Sequence, residues 1–445
     1  MENAAHTDPD FHTQTMKIKM NRRSFLGTTA TGLAAFNFIP NAISAPPSGK
    51  LTLGFVGPMG RGRANLNGLK KEVNVAALCD VDGRNMKKVK QEFTKVDAYV
   101  DYRKMLERKD LDAVVVSTPD HTHAVAAAAA LKSGRHVYCE KPLTHTVSEA
   151  RYLTELAAKT GLKTQMGNQI HSHPQSNYRR VVELVQSGAI GKVAEVHVWC
   201  GADYGPMALE PNPGDPPAEL NYDLWLGPVG YTPYRPEYVP FKWRNFWHFG
   251  GGTQADFWCH FSDLPHWALK LSYPSTIEAE GTDPHPMFTT RDMKVKYLYP
   301  ARGEDPEVNL TWYQGKYRPT HLLTAEQLKG FGSGVLFVGS KGKILANYTK
   351  RVLLPEDQFA DFKAPDPWIE DSIGHHSEWI HAIKNGGFSG TDFSYAGPLT
   401  EAGLLGLVAH RTGKKIFWDA KKLKAIGAPE ADEFIQHHYR KGWSL

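Results

Sequence analysis

The sequence predicts an α/β domain with a parallel sheet covered on both faces, which follows a short apolar leader and precedes a second domain. First, apolar segments that end in glycine or polar residues alternate with helical segments over residues 51–166. Second, a glycine-rich turn follows the first apolar segment, where doubly wound sheets bind ligands. Third, 445 residues are enough for two domains that each bury a core.

The leader, residues 1–45, has the pattern of an export signal. Arg22 and Arg23 precede a short apolar stretch at 27–40, and small residues at 42–45 offer a cleavage site. Twin arginines are typical of the route that exports folded proteins, so we expect a periplasmic or secreted protein. A disordered basic tail is the alternative. The apolar stretch is too short to span a bilayer.

Net charge argues against two classes of partner, and the cysteine spacing argues against a cysteine-bound metal. The net charge is +5 and the basic residues are scattered, which argues against nucleic acid or an anionic membrane as the main partner. No pair of the four cysteines has metal-ligand spacing, and we expect all four to be reduced and structural.

Residues 46–168 are expected to form the first domain. Predicted strands cover 51–56, 73–79, 112–117, 136–139 and 162–166. Predicted helices cover 85–93, 124–131 and 148–159. Short apolar strands that alternate with helices are typical of a parallel sheet with helices on both faces.

The first strand is followed by a turn from Gly57 to Gly62 that reads GPMGRG. In a dinucleotide-binding fold the first glycine makes the turn, the second admits the pyrophosphate and the third lets the helix pack on the strand. Gly57 and Gly62 fit the first and third places, whereas Met59 takes the second. Gly60 and Arg61 open a helix whose free amides can hold a phosphate. These five residues are therefore candidate cofactor ligands.

Asp80 ends the second predicted strand. A carboxylate about 20 residues after the glycine turn can accept hydrogen bonds from the adenosine ribose and repel a 2′-phosphate. Asp80 therefore favours NAD over NADP as the cofactor. The alternative is a nucleotide-free turn in which Asp80 only caps a loop.

Two further loops follow strand ends, where such sheets bind ligands. The loop from Thr118 to His123 contributes candidate cofactor residues, namely Thr118, Pro119, Asp120 and His123. Asp120 could instead cap the following alanine-rich helix. In the second loop, Glu140 and Lys141 are also candidate cofactor residues, and they precede a proline that can be cis. Lys141 is then aimed into the crevice from a rigid turn, unless it is a solvated lysine paired with Glu140.

These motifs together resemble the Gfo/Idh/MocA oxidoreductases, which include glucose–fructose oxidoreductase and inositol dehydrogenase. The glycine turn, Asp80, the Thr-Pro-Asp-x-x-His loop and the Glu140-Lys141-Pro142 turn carry the resemblance. It implies an N-terminal Rossmann domain and, over residues 169–445, an α+β domain with a large, mainly antiparallel sheet. It also implies a sugar or cyclitol substrate and a dimer or tetramer. Segments 221–228 and 439–445 resemble a secreted, twin-arginine subgroup.

A second family motif spans Gly250 to His260. Asp256 and His260 are four residues apart, so they share a helix face. In the family this histidine transfers the proton and the aspartate lies beside it, whereas Trp258 replaces the usual small residue. We therefore expect His260 as base, Lys141 as alkoxide stabiliser and Asp256 as the group that orients the ring. The alternative is a polar pair in the core.

The crossover behind the first domain offers further candidates. Asn168 is a candidate cofactor ligand, and Gln169 and His171 are candidate sugar contacts. His171 and His173 could suggest a metal, but no third ligand has clear spacing, and we expect none.

Residues 201–249 form an insertion rich in proline, glycine and aromatic residues. We expect most of its aromatic rings to pack together, with Trp243 and Trp247 as substrate contacts. His375 and His376 are expected to be structural.

The sequence thus predicts an oxidoreductase that holds NAD tightly and acts on a sugar or cyclitol hydroxyl. The alternative is a redox-neutral glycoside hydrolase that oxidises the ring, eliminates, adds water and reduces, because an exported enzyme must regenerate its cofactor in place. A non-catalytic sugar-binding protein is disfavoured by the intact Lys141, Asp256 and His260.

Overall fold

The computed structural model describes residues 49–445, so the predicted export signal at 1–45 lies outside the described residues. Two sheets organise this part of the chain: one has six strands and the other has nine. The prediction of a Rossmann domain followed by an α+β domain with a large sheet is confirmed.

The first sheet is entirely parallel, in the order β3-β2-β1-β4-β5-β6. Its strands are β1 Thr52–Val56, β2 Asn74–Cys79, β3 Asp97–Tyr99, β4 Ala113–Val116, β5 His136–Cys139 and β6 Thr164–Met166. Its helices are α1 Arg61–Leu69, α2 Gly83–Lys90, α3 Tyr102–Met105, α4 Asp120–Lys132 and α5 Val147–Thr160. The five predicted strands are present. β3 and α3 are additions, because elements of three and four residues leave too short a pattern to detect.

The second sheet has the order β13-β12-β11-β7-β10-β9-β8-β14-β15 and is antiparallel except where β7 pairs with β10. Its strands are β7 Val193–Trp199, β8 Thr276–Gly281, β9 Met293–Tyr299, β10 Val308–Gln314, β11 Gly334–Gly339, β12 Lys343–Ala346, β13 Arg351–Leu354, β14 Ile416–Asp419 and β15 Lys424–Ile426.

The second domain also contains helices, and some of them contact the first domain. They are α6 Asn177–Gln186, α7 Tyr222–Leu226, α8 Gly252–Phe261, α9 Asp263–Leu269, α10 Ala325–Gly330, α11 His375–Asn385, α12 Phe393–Thr412 and α13 Asp432–Ile435. Short 3₁₀ turns lie at Gln169–Ser172, Lys242–Asn245 and Pro429–Ala431. The long apolar helix α12 packs against α5, α8 and β8, so a single core runs from one sheet to the other.

Strand β7 shows how the two faces of the large sheet differ. Val196 and Val198 point into the core that also holds Trp258 of α8. His197 and Trp199 point to the opposite face, because side chains alternate along a strand. There Trp199 and Leu323 belong to a smaller cluster beneath the segment that follows β10. The cleft-side helix α8 and this outer cluster therefore lie on opposite faces.

The insertion at 201–249 is held together by aromatic packing, as expected for a long segment with little regular structure. Trp225 and Phe249 have ring centroids 4.7 Å apart, and Tyr238 and Phe246 pack edge to face at the same distance. The insertion also joins the first domain, where Gly83 N donates to Glu219 O at 2.9 Å. These contacts hold the insertion, just before α7, against the loop that follows β2.

All four cysteines are buried and free, in line with the expectation from the sequence. Within residues 49–445, no helix combines the length and apolar character needed to cross a membrane.

Candidate active site

A single cleft of about 690 Å³ lies between the carboxyl ends of the first sheet and the insertion. This volume is in the range of small-molecule and cofactor sites. Its walls run from Asp80 and Tyr102 at one end to Lys141, Arg244 and Asp256 at the other. The cleft therefore joins most of the predicted cofactor residues to Lys141 and Asp256, whereas His260 is not among the residues that line it.

The glycine turn has the geometry that a bound pyrophosphate needs. Gly57 has φ of 74°, and a Cβ there would lie 2.6 Å from Ser117 O. A Cβ on Gly62 would lie 1.8 Å from Gly57 O, so α1 packs too closely on β1 for any side chain. Gly60 precedes α1 without a side-chain cap, and the Gly62 and Arg63 amides donate to Met59 O at 3.0 Å and to Gly60 O at 3.2 Å. Met59 lines the cleft in the second position.

Asp80 lines the cleft at the end where the sequence predicts the adenosine ribose. Its Oδ1 accepts from Asp82 N at 2.9 Å, and its Oδ2 accepts from the Asn85 amide at 3.3 Å. Burial raises the pKa of Asp80 to about 6, although these hydrogen bonds oppose the rise. The side chain is thus mainly a carboxylate at neutral pH and can accept ribose hydroxyls.

The adenosine end is roofed by residues far away in the sequence. Leu220 and Leu224 of the insertion line it from above. The chain end adds Trp443, whose ring lies 6.3 Å from that of Tyr102 and 4.7 Å from the Arg103 guanidinium. A ligand in this part of the cleft is therefore enclosed by segments outside the Rossmann sheet.

Glu140 connects the loop after β5 to the first turns of α1. Its Oε1 accepts from Arg61 Nε at 3.0 Å and from Asn65 Nδ2 at 2.8 Å. The Glu140 side chain therefore pairs with Arg61. The alternative from the sequence, in which Lys141 is a solvated lysine paired with Glu140, is not observed. The Lys141–Pro142 peptide bond is cis, as the sequence allowed. Lys141 leaves this turn toward α8, with its side chain 13% exposed.

Lys141 is bound by Asp256 in two ways. Its Nζ donates to Asp256 Oδ1 at 2.5 Å and to the Asp256 carbonyl at 2.8 Å. Tyr204 donates to Asp256 Oδ2 at 3.1 Å, and Arg244 Nε lies 3.4 Å from Oδ1. Burial alone would raise the pKa of Asp256, but the Lys141 and Arg244 cations outweigh it and hold this pKa well below its usual range. The carboxylate is therefore a fixed charge.

Asp120 faces the same end of the cleft from the first turn of α4. The Asp120 side chain does not cap α4, so its alternative role as a helix cap is not observed. Burial raises the pKa of Asp120 to about 8, with the Arg244 and Lys141 charges opposing the rise and Asp256 adding to it. At neutral pH this carboxyl holds a proton beside a permanent carboxylate.

His260 lies one turn beyond Asp256 on α8, as the spacing predicts. Its ring is 5.8 Å from Phe257 and 6.2 Å from Tyr348, and its buried Nδ1 has no hydrogen-bond partner among residues 49–445. Burial, together with the Lys141 charge, lowers the pKa of His260 to about 3. The imidazole is therefore neutral at neutral pH, and it would hold an added proton only weakly.

Trp258 does not disturb the cleft, although it replaces the small residue of the family motif. It is 1% exposed, and its indole N–H donates to Leu399 O at 2.7 Å on α12. Its side chain therefore fills the core behind α8, which leaves Asp256 free to face the cleft.

The remaining cofactor candidates differ in how they meet the cleft. Thr118 and Pro119 line it, and the buried Thr118 hydroxyl lacks a partner in the described chain, as a ligand-binding group would. His123 lines it too, but its ring nitrogens lie 2.8 Å from Pro142 O and Thr118 O, so it ties the two loops together. Asn168 is not among the residues that line the cleft; it is fully buried, and its amide is unpaired within residues 49–445.

Three of the four predicted sugar contacts lie outside the cleft walls, which corrects their assignment. Gln169 donates to Asn65 beneath the glycine turn. His171 stacks on Trp267 with ring centroids 3.9 Å apart and contacts Asp263 in a buried network. Trp247 packs under Arg411 and donates to His285 O. Hydrogen-bonding and stacking partners within the protein hold all three.

Trp243 lines the cleft as predicted, and its neighbour Arg244 was missed. The Arg244 guanidinium lies 4.1 Å from the Trp243 ring and 4.6 Å from that of Phe241, which aims it at Asp256. Tyr204 was missed for the same reason: both belong to the insertion, where no periodic pattern predicts side-chain direction. His375 and His376 are structural, since His375 bonds to Ser172 and Met166 O and His376 to Asn65.

Comparison with known proteins agrees with this geometry. Residues 51–168 match the oxidoreductase family with an NAD-binding Rossmann fold, and residues 177–308 match the C-terminal α/β domain of the same family. Together these matches cover more than half of the chain.

Individual relatives include enzymes of two kinds. The chain is 31% identical over 127 residues to an inositol 2-dehydrogenase of Salmonella typhimurium, which is 28% of this chain and 37% of that protein. It is 29% identical over 209 residues to an α-N-acetylgalactosaminidase of Shewanella oneidensis, 39% of this chain and 44% of that protein. The chain thus spans less than half the length of these curated relatives.

Among solved structures, the WlbA dehydrogenase of Bordetella pertussis in complex with NADH and UDP-GlcNAcA has a TM-score of 0.58 at 15% identity. The alignment covers 83% of this chain and 99% of that one, and it shows a shared fold. The family matches and the cleft support one conclusion: this chain belongs to the Gfo/Idh/MocA oxidoreductase family, with an NAD-binding Rossmann domain.

Proposed function

We propose that the protein oxidises a hydroxyl of a sugar or cyclitol with NAD that it holds tightly. The observation that carries the proposal is the Lys141–Asp256 pair at the closed end of the cofactor cleft. NAD, when bound, supplies the hydride acceptor. The residues of the chain must then orient the hydroxyl and take its proton.

Lys141 and Arg244 place two cations against the one fixed carboxylate of Asp256. This local excess of positive charge stabilises the oxygen on which negative charge develops as the C–H bond breaks. His260, one turn away, is the candidate base for the hydroxyl proton by its place in the family motif, and its low pKa requires that it pass the proton on rather than hold it. Phe241, which is half exposed, offers a ring face for the sugar beside Arg244, and the buried Trp243 supports the guanidinium from behind.

The cofactor is proposed to be NAD rather than NADP, since the Asp80 carboxylate would face a 2′-phosphate. Tight retention is supported by the roof of Leu220, Leu224 and Trp443 over the adenosine end. From Arg22 and Arg23 we also propose that the protein acts outside the cytoplasm. Free NAD is scarce there, so the protein would have to keep its cofactor bound.

A second candidate is redox-neutral glycoside hydrolysis. Asp120 favours it, because a carboxyl that holds its proton to a pH of about 8 can protonate a leaving sugar oxygen next to Lys141. The resemblance to a family that contains an α-N-acetylgalactosaminidase points the same way.

One experiment separates these candidates. Purified protein is incubated with panels of glycosides and free sugars without added cofactor, while nicotinamide absorbance and released sugar are followed together. Lasting NADH that disappears when a carbonyl-bearing sugar is added supports the oxidoreductase. Sugar release without lasting NADH supports the hydrolase. If denatured protein releases no nicotinamide, tight retention is wrong.

A further inference from the structure

We propose that the outer face of the large sheet carries a divalent metal site formed by Glu195, His197 and His321. One ligand atom from each side chain lies within 4.8 Å of the other two. Two imidazoles and one carboxylate are a ligand set that zinc takes when a fourth position is left for water. The site does not depend on the proposed reaction, because it lies on the face opposite α8.

The topology of the sheet assembles this set from two distant segments. Glu195 and His197 are two residues apart on β7, so both point to the outer face. His321 comes from the segment after β10 that crosses this face, and Leu323 of that segment is buried beside Trp199. The burial of Leu323 fixes the segment where the His321 ring meets that of His197, at 5.6 Å between centroids.

His197 is already oriented as a metal ligand would be. Its Nδ1 lies 2.8 Å from the Tyr313 hydroxyl, and its Nε2 lies 2.7 Å from Glu195 Oε1. Histidines that bind metal commonly have their second ring nitrogen held by an oxygen of the protein, which sets the tautomer. If Nδ1–H donates to Tyr313, the Nε2 lone pair points toward Glu195 and can bind an ion between them.

The set can close around an ion with small movements. Zinc bonds of about 2.0–2.1 Å place neighbouring ligand atoms roughly 3.3 Å apart in a tetrahedron. The Glu195–His197 contact must therefore open slightly, and His321 must approach. Glu195 has a side chain 45% exposed and His321 is exposed, so both can move, whereas His197 at 3% exposed is the fixed anchor.

The competing explanation is a hydrogen-bonded Glu195–His197 pair with an unrelated surface histidine nearby. The two explanations differ in what His321 does. It is a ligand in the first, and in the second its loss leaves zinc binding unchanged. His321→Ala is also a mild change to the fold, because its side chain is exposed.

The test uses the full chain without a histidine tag, stripped with a chelator and titrated with Zn²⁺ by calorimetry. Co²⁺ absorption then reports whether the coordination is tetrahedral. We expect one Zn²⁺ per chain, at least tenfold weaker binding in His321→Ala and about 10- to 100-fold weaker binding in Tyr313→Phe. His381→Ala, a matched change of an exposed histidine on α11, should bind as the parent does.

The proposal is overturned if the parent chain binds no stoichiometric Zn²⁺, or if His321→Ala and His381→Ala bind it equally. The experiment measures zinc binding and not turnover in the cleft. A negative result therefore leaves the proposed function intact.

Discussion

Lys141 Nζ donates to both the carboxylate and the main-chain carbonyl of Asp256, although the two residues are 115 positions apart in the chain. This pair joins the Rossmann domain to α8 at the point where the cleft closes. It also fixes the direction of the ammonium group, because two acceptors on one residue leave it little rotational freedom.

Replacing Lys141 by methionine keeps the length of the side chain but removes its charge. We expect turnover to fall about 10²- to 10³-fold, as when one donor to a developing oxyanion is lost. Retained NAD, released by denaturation and quantified, should stay near the parent level because Lys141 lies at the substrate end. Lys109→Met, at an exposed lysine, is the matched control. Unchanged turnover in both Lys141→Met and His260→Gln would remove these residues from the mechanism.

Asp120 should impose a limit on activity at high pH. Its raised pKa of about 8 means that it is neutral below this pH and becomes a second carboxylate beside Asp256 above it. The added negative charge opposes a developing alkoxide, so kcat/KM should fall as the pH rises through about 8. Asp120→Asn stays neutral at every pH and should lack this fall. Identical pH profiles for the two proteins would contradict the assignment.

Asp80 should control the choice between NAD and NADP. Asp80→Ser removes the carboxylate proposed to face the ribose, and we expect the affinity ratio of NADP to NAD to rise at least tenfold. The measurement is equilibrium binding of each nucleotide to stripped protein at pH 7.5, where Asp80 is mainly ionised. A parent protein that binds NADP more tightly than NAD would refute the role.

Trp443 should slow the loss of the cofactor. Its ring closes the adenosine end together with Tyr102 and Arg103. A ring contact contributes about 0.5–1.5 kcal/mol, so Trp443→Ala should weaken NAD binding roughly tenfold or less and speed its dissociation. Trp368→Ala, at a half-exposed tryptophan remote from the cleft walls, serves as control. Equal dissociation rates in the two variants would show that the chain end does not hold the cofactor.

Arg244 should affect the substrate more than the cofactor. Arg244→Gln removes a cation that lies 3.4 Å from Asp256 and against the Trp243 ring. We expect KM for the substrate to rise and kcat to fall, with NAD retention unchanged. A variant that loses only NAD would place Arg244 at the wrong end of the cleft.

Much of the first domain could be predicted because its signals are local. The turn from Gly57 to Gly62, the carboxylate of Asp80 and the loop that carries Lys141 each follow a strand directly. In a parallel sheet all these strand ends meet at one edge, so the sequence alone predicted a cofactor crevice there. The spacing of Asp256 and His260 likewise predicted a shared face of α8, because helix geometry is periodic.

The rest depended on contacts between segments far apart in the chain. Gln169, His171 and Trp247 have the right chemistry for a sugar, but packing turned each toward a partner inside the protein. Arg244 and Trp443 reach the cleft only because an aperiodic insertion and the chain end fold back over the first sheet.

The sequence by itself therefore determined the fold class, the crevice where a cofactor is expected and the residue types of the candidate catalytic pair, since these follow from local periodicity and turn chemistry. Only the tertiary structure decided which polar side chains face the cleft and which are buried elsewhere. It also set the proton affinity of Asp120, Asp256 and His260, because desolvation and neighbouring charges depend on the whole packed arrangement.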